Sequence, residues 1–215
     1  MIRMSTLADP RLQELLRQAA EWRLLGLLFE RPRAGWWEEV EGLCREVLDA
    51  EITAAATAAR EEASEGLYLA FLGPGGPVSA REVSYRGMED PGHLLADIEA
   101  FYQAFAFSPE TEEAPDHLSV EAGFLGYLCL KAAYAQARGN DEEAEVAARA
   151  SAKFREAHLS TFAWAVAEQL QATDVRYLTL AAKALAHRSG PRQDTRPSVK
   201  ALLRPCDDCP GCDDE

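Results

Sequence analysis

The sequence lacks any apolar run of the roughly 20 residues that a bilayer-spanning helix requires, so membrane insertion is not expected. Its first residues also lack the basic, apolar and small-residue order of a secretory signal peptide, which points to a cytoplasmic protein. Basic side chains are in deficit: 22 Lys and Arg stand against 36 Asp and Glu, for a formal net charge of −14. Nucleic acid needs clustered Lys and Arg to neutralise phosphates, so that partner class is argued against. The acidity suits a basic partner, attracted over a Debye length of about 8 Å, and it equally suits solubility alone. β-Branched residues are scarce and no segment alternates apolar with polar residues at strand spacing. No internal repeat is visible. Disulfide pairing is not suggested either, because the five cysteines are odd in number. Cys44 and Cys129 fall inside helical patterns and are expected as buried thiols.

What remains is rich in alanine and in helical periodicity. A chain of 215 residues can bury roughly 70 % of its unfolded surface, enough for one good core. The apolar spacing predicts helices over 8–30, 36–49, 51–72, 93–105, 116–138, 141–157, 158–171 and 174–187. Asp9 and Pro10 suit the start of the first, and Gly139-Asn140 suits the end of the fifth. The expectation is an all-α, single-domain bundle of about eight helices over residues 1–189. A flexible tail of Gly, Pro, Asp and Cys is expected over 190–215. Gly73, Pro74, Gly75, Gly76 and Pro77 forbid helix and open the longest internal loop, 73–91.

One segment concentrates polar chemistry: Pro115-Asp116-His117-Leu118-Ser119-Val120-Glu121. Pro115 disfavours helix before it, Asp116 is a good N-cap, and His117 and Glu121 are four apart on one face. No nucleophile or glycine-rich phosphate loop accompanies them, and one His with one acid is too small a ligand set for a metal. The plain alternative is a cap by Asp116 beside a histidine with satisfied hydrogen bonds. In the 73–85 loop, Glu82 and Tyr85 follow the glycines. Tyr85 offers an apolar body and a polar tip suited to peptide contact, and the plain alternative is a crossover between two halves of a bundle.

Taken together, these segments resemble the TorD/DmsD/NarJ family of redox-enzyme maturation chaperones. The resemblance rests on Tyr68-Leu-Ala-Phe71-Leu-Gly73-Pro74, then Glu82-Val83-Ser84-Tyr85, then the aromatic pair Phe101-Tyr102. It continues through Glu113-Ala-Pro115-Asp116-His117, Glu121-Ala-Gly-Phe124-Leu125, and His158-Leu159 with Trp164 downstream. Ala80-Arg81 stand where the family has Pro-Tyr or Pro-Cys, and one extra residue follows Glu113. The resemblance implies an all-helical protein without catalytic activity. Such a protein binds the catalytic subunit of a molybdopterin oxidoreductase in the cytoplasm while cofactors are inserted. Many members also bind that subunit's twin-arginine signal peptide. It implies Glu82, Tyr85, Asp116, His117 and Glu121 as partner-binding residues, no required cofactor, and a monomer or homodimer.

The tail carries Cys206, Cys209 and Cys212 at Cys-x-x-Cys-x-x-Cys spacing. Three thiolates at that spacing can chelate one soft metal or present ligands to an iron–sulfur cluster. This sets out a second class of function, a metal or cluster carrier, although a fourth ligand is missing and the nearby acids raise thiol pKa values. A third class, a helical transcriptional regulator, would need a basic recognition helix, and none is present.

Overall fold

Asp9 and Pro10 begin the first helix as their chemistry dictates. In the computed structural model, which describes residues 9–192, the Asp9 carboxylate accepts from the Arg11 amide at 2.9 Å and Pro10 takes the first helical position. This helix, α1, spans Pro10–Leu28. It is followed by α2 (Trp36–Cys44), α3 (Ala50–Glu62), α4 (Glu65–Phe71) and α5 (Pro91–Ala104). Then come α6 (Leu118–Ala137), α7 (Asp141–Phe154), α8 (Ser160–Gln171) and α9 (Arg176–Ser189). Among the described residues the regular structure is helical, apart from a single antiparallel bridge between Arg81 and His117.

The all-α expectation therefore holds, with two changes in segmentation. The helix expected over 51–72 is two helices, because Ser64 is extended and its hydroxyl accepts from the Leu67 amide at 3.2 Å, starting α4 anew. Conversely, no break separates α7 from α8. A π-helical turn, Arg155–Leu159, carries the backbone straight from one to the other. The 73–91 segment also contains a short 3₁₀ turn, Glu82–Tyr85.

The principal packing pairs are α1 on α6, α6 on α7, and α3 and α8 on α9. Glycine sets the first of these. A Cβ on Gly26 would lie 2.9 Å from the Ser119 carbonyl oxygen, and one on Gly126 would lie 3.1 Å from that of Ala19. Leu24, Leu25, Leu28, Phe29, Phe124 and Phe154 fill the interior, each side chain contributing about 1.5–3 kcal/mol on burial. The rings of Tyr102, Phe107 and Phe154 surround Phe124 with centroids 4.8–5.2 Å from it.

The chain turns sharply at the end of α5. The Phe107 amide donates back to the Tyr102 carbonyl at 2.8 Å, and Ala106 takes the left-handed position at φ 53°. A non-glycine residue there costs about 1–2 kcal/mol. The turn is held against α6 by the Tyr127 hydroxyl, which donates to the Phe105 carbonyl at 3.0 Å.

Candidate functional site

The two segments singled out in the sequence lie side by side. The Glu82 amide donates to the Asp116 carbonyl at 2.9 Å, and the Leu118 amide to the Ala80 carbonyl at 2.8 Å. Gly73 and Gly76 let the loop fold back on α4. A Cβ on either would come within 2.6 Å of a backbone oxygen, that of Leu69 or of Phe71. On the other side the Tyr102 hydroxyl donates to the Pro115 carbonyl at 2.9 Å and fixes the approach to α6.

Asp116 is not the cap of α6. Its carboxylate accepts from Arg81 through Nε at 2.8 Å and Nη2 at 2.6 Å, and from the Val83 amide at 3.1 Å. It thus caps the 3₁₀ turn through the Val83 amide, 33 residues upstream of its own position. His117 caps α6 instead: its Nδ1 accepts from the Ser119 amide at 3.2 Å and lies 2.7 Å from the Ser119 hydroxyl. An acceptor Nδ1 assigns the neutral ring's proton to Nε2. That atom faces the Tyr68 hydroxyl at 3.3 Å, and Tyr68 in turn donates to Glu113 at 2.9 Å. Burial holds the His117 pKa below the usual imidazole range, against an upward pull from Glu113, so the ring is neutral at pH 7.

Glu82 joins the same turn to the π-helical turn. Its Oε1 accepts from Arg86 Nε at 2.7 Å and from the Thr161 hydroxyl at 3.2 Å, while Oε2 lies 3.1 Å from His158 Nδ1. Beside it, Glu121 is fully buried and neither of its oxygens has a donor. Burial first, then the charge of Glu82, raises its pKa well above the usual carboxyl range. Burial thus favours the protonated, neutral form of Glu121. Tyr85 stacks on Phe162 with centroids 5.5 Å apart, and its hydroxyl lies 2.7 Å from the Ser79 carbonyl and 3.0 Å from Gln169 Oε1. Burial raises the Tyr85 pKa to about 12.

Of the five residues picked from sequence, Glu82, Asp116, His117 and Glu121 are buried in a polar layer between the 3₁₀ turn, α6 and the π-helical turn, where the first three are hydrogen-bonded and Glu121 lies without a partner. Tyr85 is half-buried at its edge. The layer also needs Arg81, Arg86, His158, Tyr68 and Glu113, which sequence reasoning did not assign to it. Arg81 was visible only as a departure from the family pattern. His158 was visible as part of His-Leu, but its partner Glu82 is 76 residues away. A cavity of about 430 Å³ opens over His117, walled by Arg31, Tyr68, Arg81, Glu113 and the glycine loop.

Cys206, Cys209 and Cys212 lie outside the described residues. Among the described residues no group of His, Cys, Asp and Glu is arranged to hold a metal ion. Cys129 is buried as expected, with its thiol pushed up to about 11 by burial, whereas Cys44 is half-buried. Nor, among the described residues, is any helix long and apolar enough to cross a membrane.

Residues 32–168 match the family model described as nitrate reductase delta subunit. The chain is 30 % identical over 165 residues to the selenate reductase assembly chaperone protein of Thauera selenatis, covering 74 % of this chain and 79 % of that one. It is 31 % identical over 138 residues to the chlorate reductase assembly chaperone protein of Ideonella dechloratans, covering 60 % of this chain and 70 % of that one.

Proposed function

The chain belongs to the nitrate reductase delta subunit family of redox-enzyme maturation chaperones, and from that premise we propose that it assembles a molybdenum-dependent reductase. Its client is the catalytic subunit, bound in the cytoplasm while the molybdopterin cofactor is inserted. The same surface region receives the client's twin-arginine signal peptide and delays export. The protein works by binding and performs no covalent chemistry of its own. The observation that carries this reading is the 30 % identity to a selenate reductase assembly chaperone over 79 % of its length.

In this reading the buried polar layer is the frame of the partner-binding region. Asp116, Glu82 and His117 hold the 78–85 loop and the start of α6 in one fixed relation. Tyr85, together with the half-exposed Arg81 and Glu113, stands at the surface of that frame, where a client can touch it. Charge supports the direction of attraction, since −14 favours a client segment bearing arginines.

Co-expression with the molybdoenzyme catalytic subunit encoded beside this chain tests the proposal. A stoichiometric complex is expected on size exclusion with light scattering. Quantitative separation of the two proteins would refute it.

A further inference from the structure

α1 and α7 each pack on α6, and a valley of about 480 Å³ runs between them. Ala132 of α6 lies on its floor, Leu15 of α1 on one wall, and Ala144 and Ala148 of α7 on the other. Alanine keeps it open, because a methyl group does not reach across to the next helix. Leu15, the one long apolar side chain lining it, is only half-buried.

Charge does not select what fills this valley. Of the charged residues along it, Glu14 is paired with Arg17 and Gln18, and Glu145 with Arg149 at 3.5 Å. The other two, Arg11 and Asp141, are opposite in sign. A strongly basic or strongly acidic partner therefore gains little from the walls, and exposed pairs of this kind are worth little in any case. What suits them is a short apolar segment with almost no charge.

The chain carries such a segment, rooted at the valley's edge. The Asp9 carboxylate, which caps α1, also accepts from the Gln136 side-chain amide at 3.1 Å, and Gln136 lines the valley. Upstream of it, Met1-Ile2-Arg3-Met4-Ser5-Thr6-Leu7-Ala8 lies outside the described residues. Arg3 is its one charged side chain, and Met1, Ile2, Met4 and Leu7 are large and apolar. Its length suffices: eight residues reach about 26 Å when extended, which leaves room to reverse direction before Asp9. The valley itself runs only about 10 Å along α7 from Asp141 to Ala148. In an extended segment Ile2 and Met4 share one side, while Arg3 and Ser5 share the other. Attachment at Asp9 also supplies an effective concentration of about a millimolar, which any free partner must outcompete.

We propose that residues 1–8 fold back into the valley and strap α1 to the α6–α7 hairpin, with Ile2 and Met4 seated on Leu15, Ala132, Ala144 and Ala148. The valley is then filled by the chain itself and is not a surface offered to a client.

Hydrogen exchange read by mass spectrometry tests this on the full chain, beside a variant lacking residues 2–8. Deletion should speed exchange over 144–148 at least about tenfold and leave α8 unchanged. Ile2→Asp with Met4→Asp should reproduce the deletion, and Arg3→Ser should not. Trypsin supplies a second readout from the valley's side, because Arg3 is a cleavage site within the segment. Ala144 is half-buried and Ala148 exposed, so Ala144→Glu with Ala148→Glu obstructs the valley without entering the core. That variant should release residues 1–3 at least about tenfold faster than the wild type, with its helical circular dichroism intact. Equal exchange over 144–148 with and without residues 2–8 overturns the proposal, as does equal cleavage after Arg3 in the wild type and the obstructed variant. Protection of 144–148 that vanishes on dilution also overturns it, since a second copy then fills the valley. So does protection that arises only when the catalytic subunit is bound, since a client then fills it.

Discussion

Asp116→Ala is expected to destabilise the fold by about 2–4 kcal/mol, read as a lower denaturation midpoint with an unchanged slope. The substitution removes the acceptor of three donors at once: two from Arg81 and the Val83 amide. An amide left unsatisfied in a buried site costs about 1–3 kcal/mol. The Arg81 guanidinium loses its partner but is 43 % exposed, so water recovers part of that loss. The size of the effect decides between two roles for this residue. A simple helix cap is worth about 1 kcal/mol and would free the first amides of α6 to exchange. The observed geometry predicts the larger loss, with faster hydrogen exchange at the Val83 amide, and leaves the Ser119 amide protected by His117. Asp116→Asn keeps one acceptor and should fall between wild type and Asp116→Ala.

Glu121→Gln is expected to change how stability depends on pH. The folded Glu121 holds its proton well above the value of 4.5 at which an exposed Glu releases it. From about pH 4.5 upward the unfolded chain loses this proton and the native chain keeps it, so Glu121 lowers stability as pH rises. His117 has the opposite sign. Its folded pKa lies below 6.5, so the unfolded chain gains a proton first as pH falls through that value, and stability is lost toward acid. Between about pH 4.5 and 6.5 the two slopes oppose one another. The Glu121 slope runs from about pH 4.5 up to its raised folded pKa, with a limit of about 1.4 kcal/mol per pH unit. Glu121→Gln should flatten the curve over that window and raise stability on its alkaline side, while leaving the acid side to His117. A variant with the wild-type pH dependence above pH 4.5 would show that Glu121 does not carry a buried proton.

The helical class was legible in the sequence because it rests on local chemistry. Asp9-Pro10 starts α1 as read, and Gly139 with Asn140 closes α6 with amides donating to Gln136 and Ala135 at 2.9 Å. The break at Ser64 was also local, since a serine before Glu65 is an ordinary cap signal that alanine-rich periodicity obscured. The identity of the α6 cap was not legible. Asp116 and His117 are adjacent and both can accept, and the choice is made by Arg81, which a spacing argument does not bring near. The π-helical turn escaped for the same reason, because what it positions is His158 against Glu82 across the bundle. Burial of the candidate residues could not be read from their types either. Acids and a histidine at a helix start look solvent-facing until the arginines that pair with them are placed. The valley between α1 and α7 was hidden in turn by alanine, which favours helix wherever it stands and gives no clue as to which helices it leaves apart.

Cofactor content of the client tests the central claim most directly. The catalytic subunit should be purified from cells with and without this chain and its molybdenum measured by mass spectrometry. The account predicts near-stoichiometric metal with the chain present and a large deficit without it. Equal molybdenum in both preparations would contradict it.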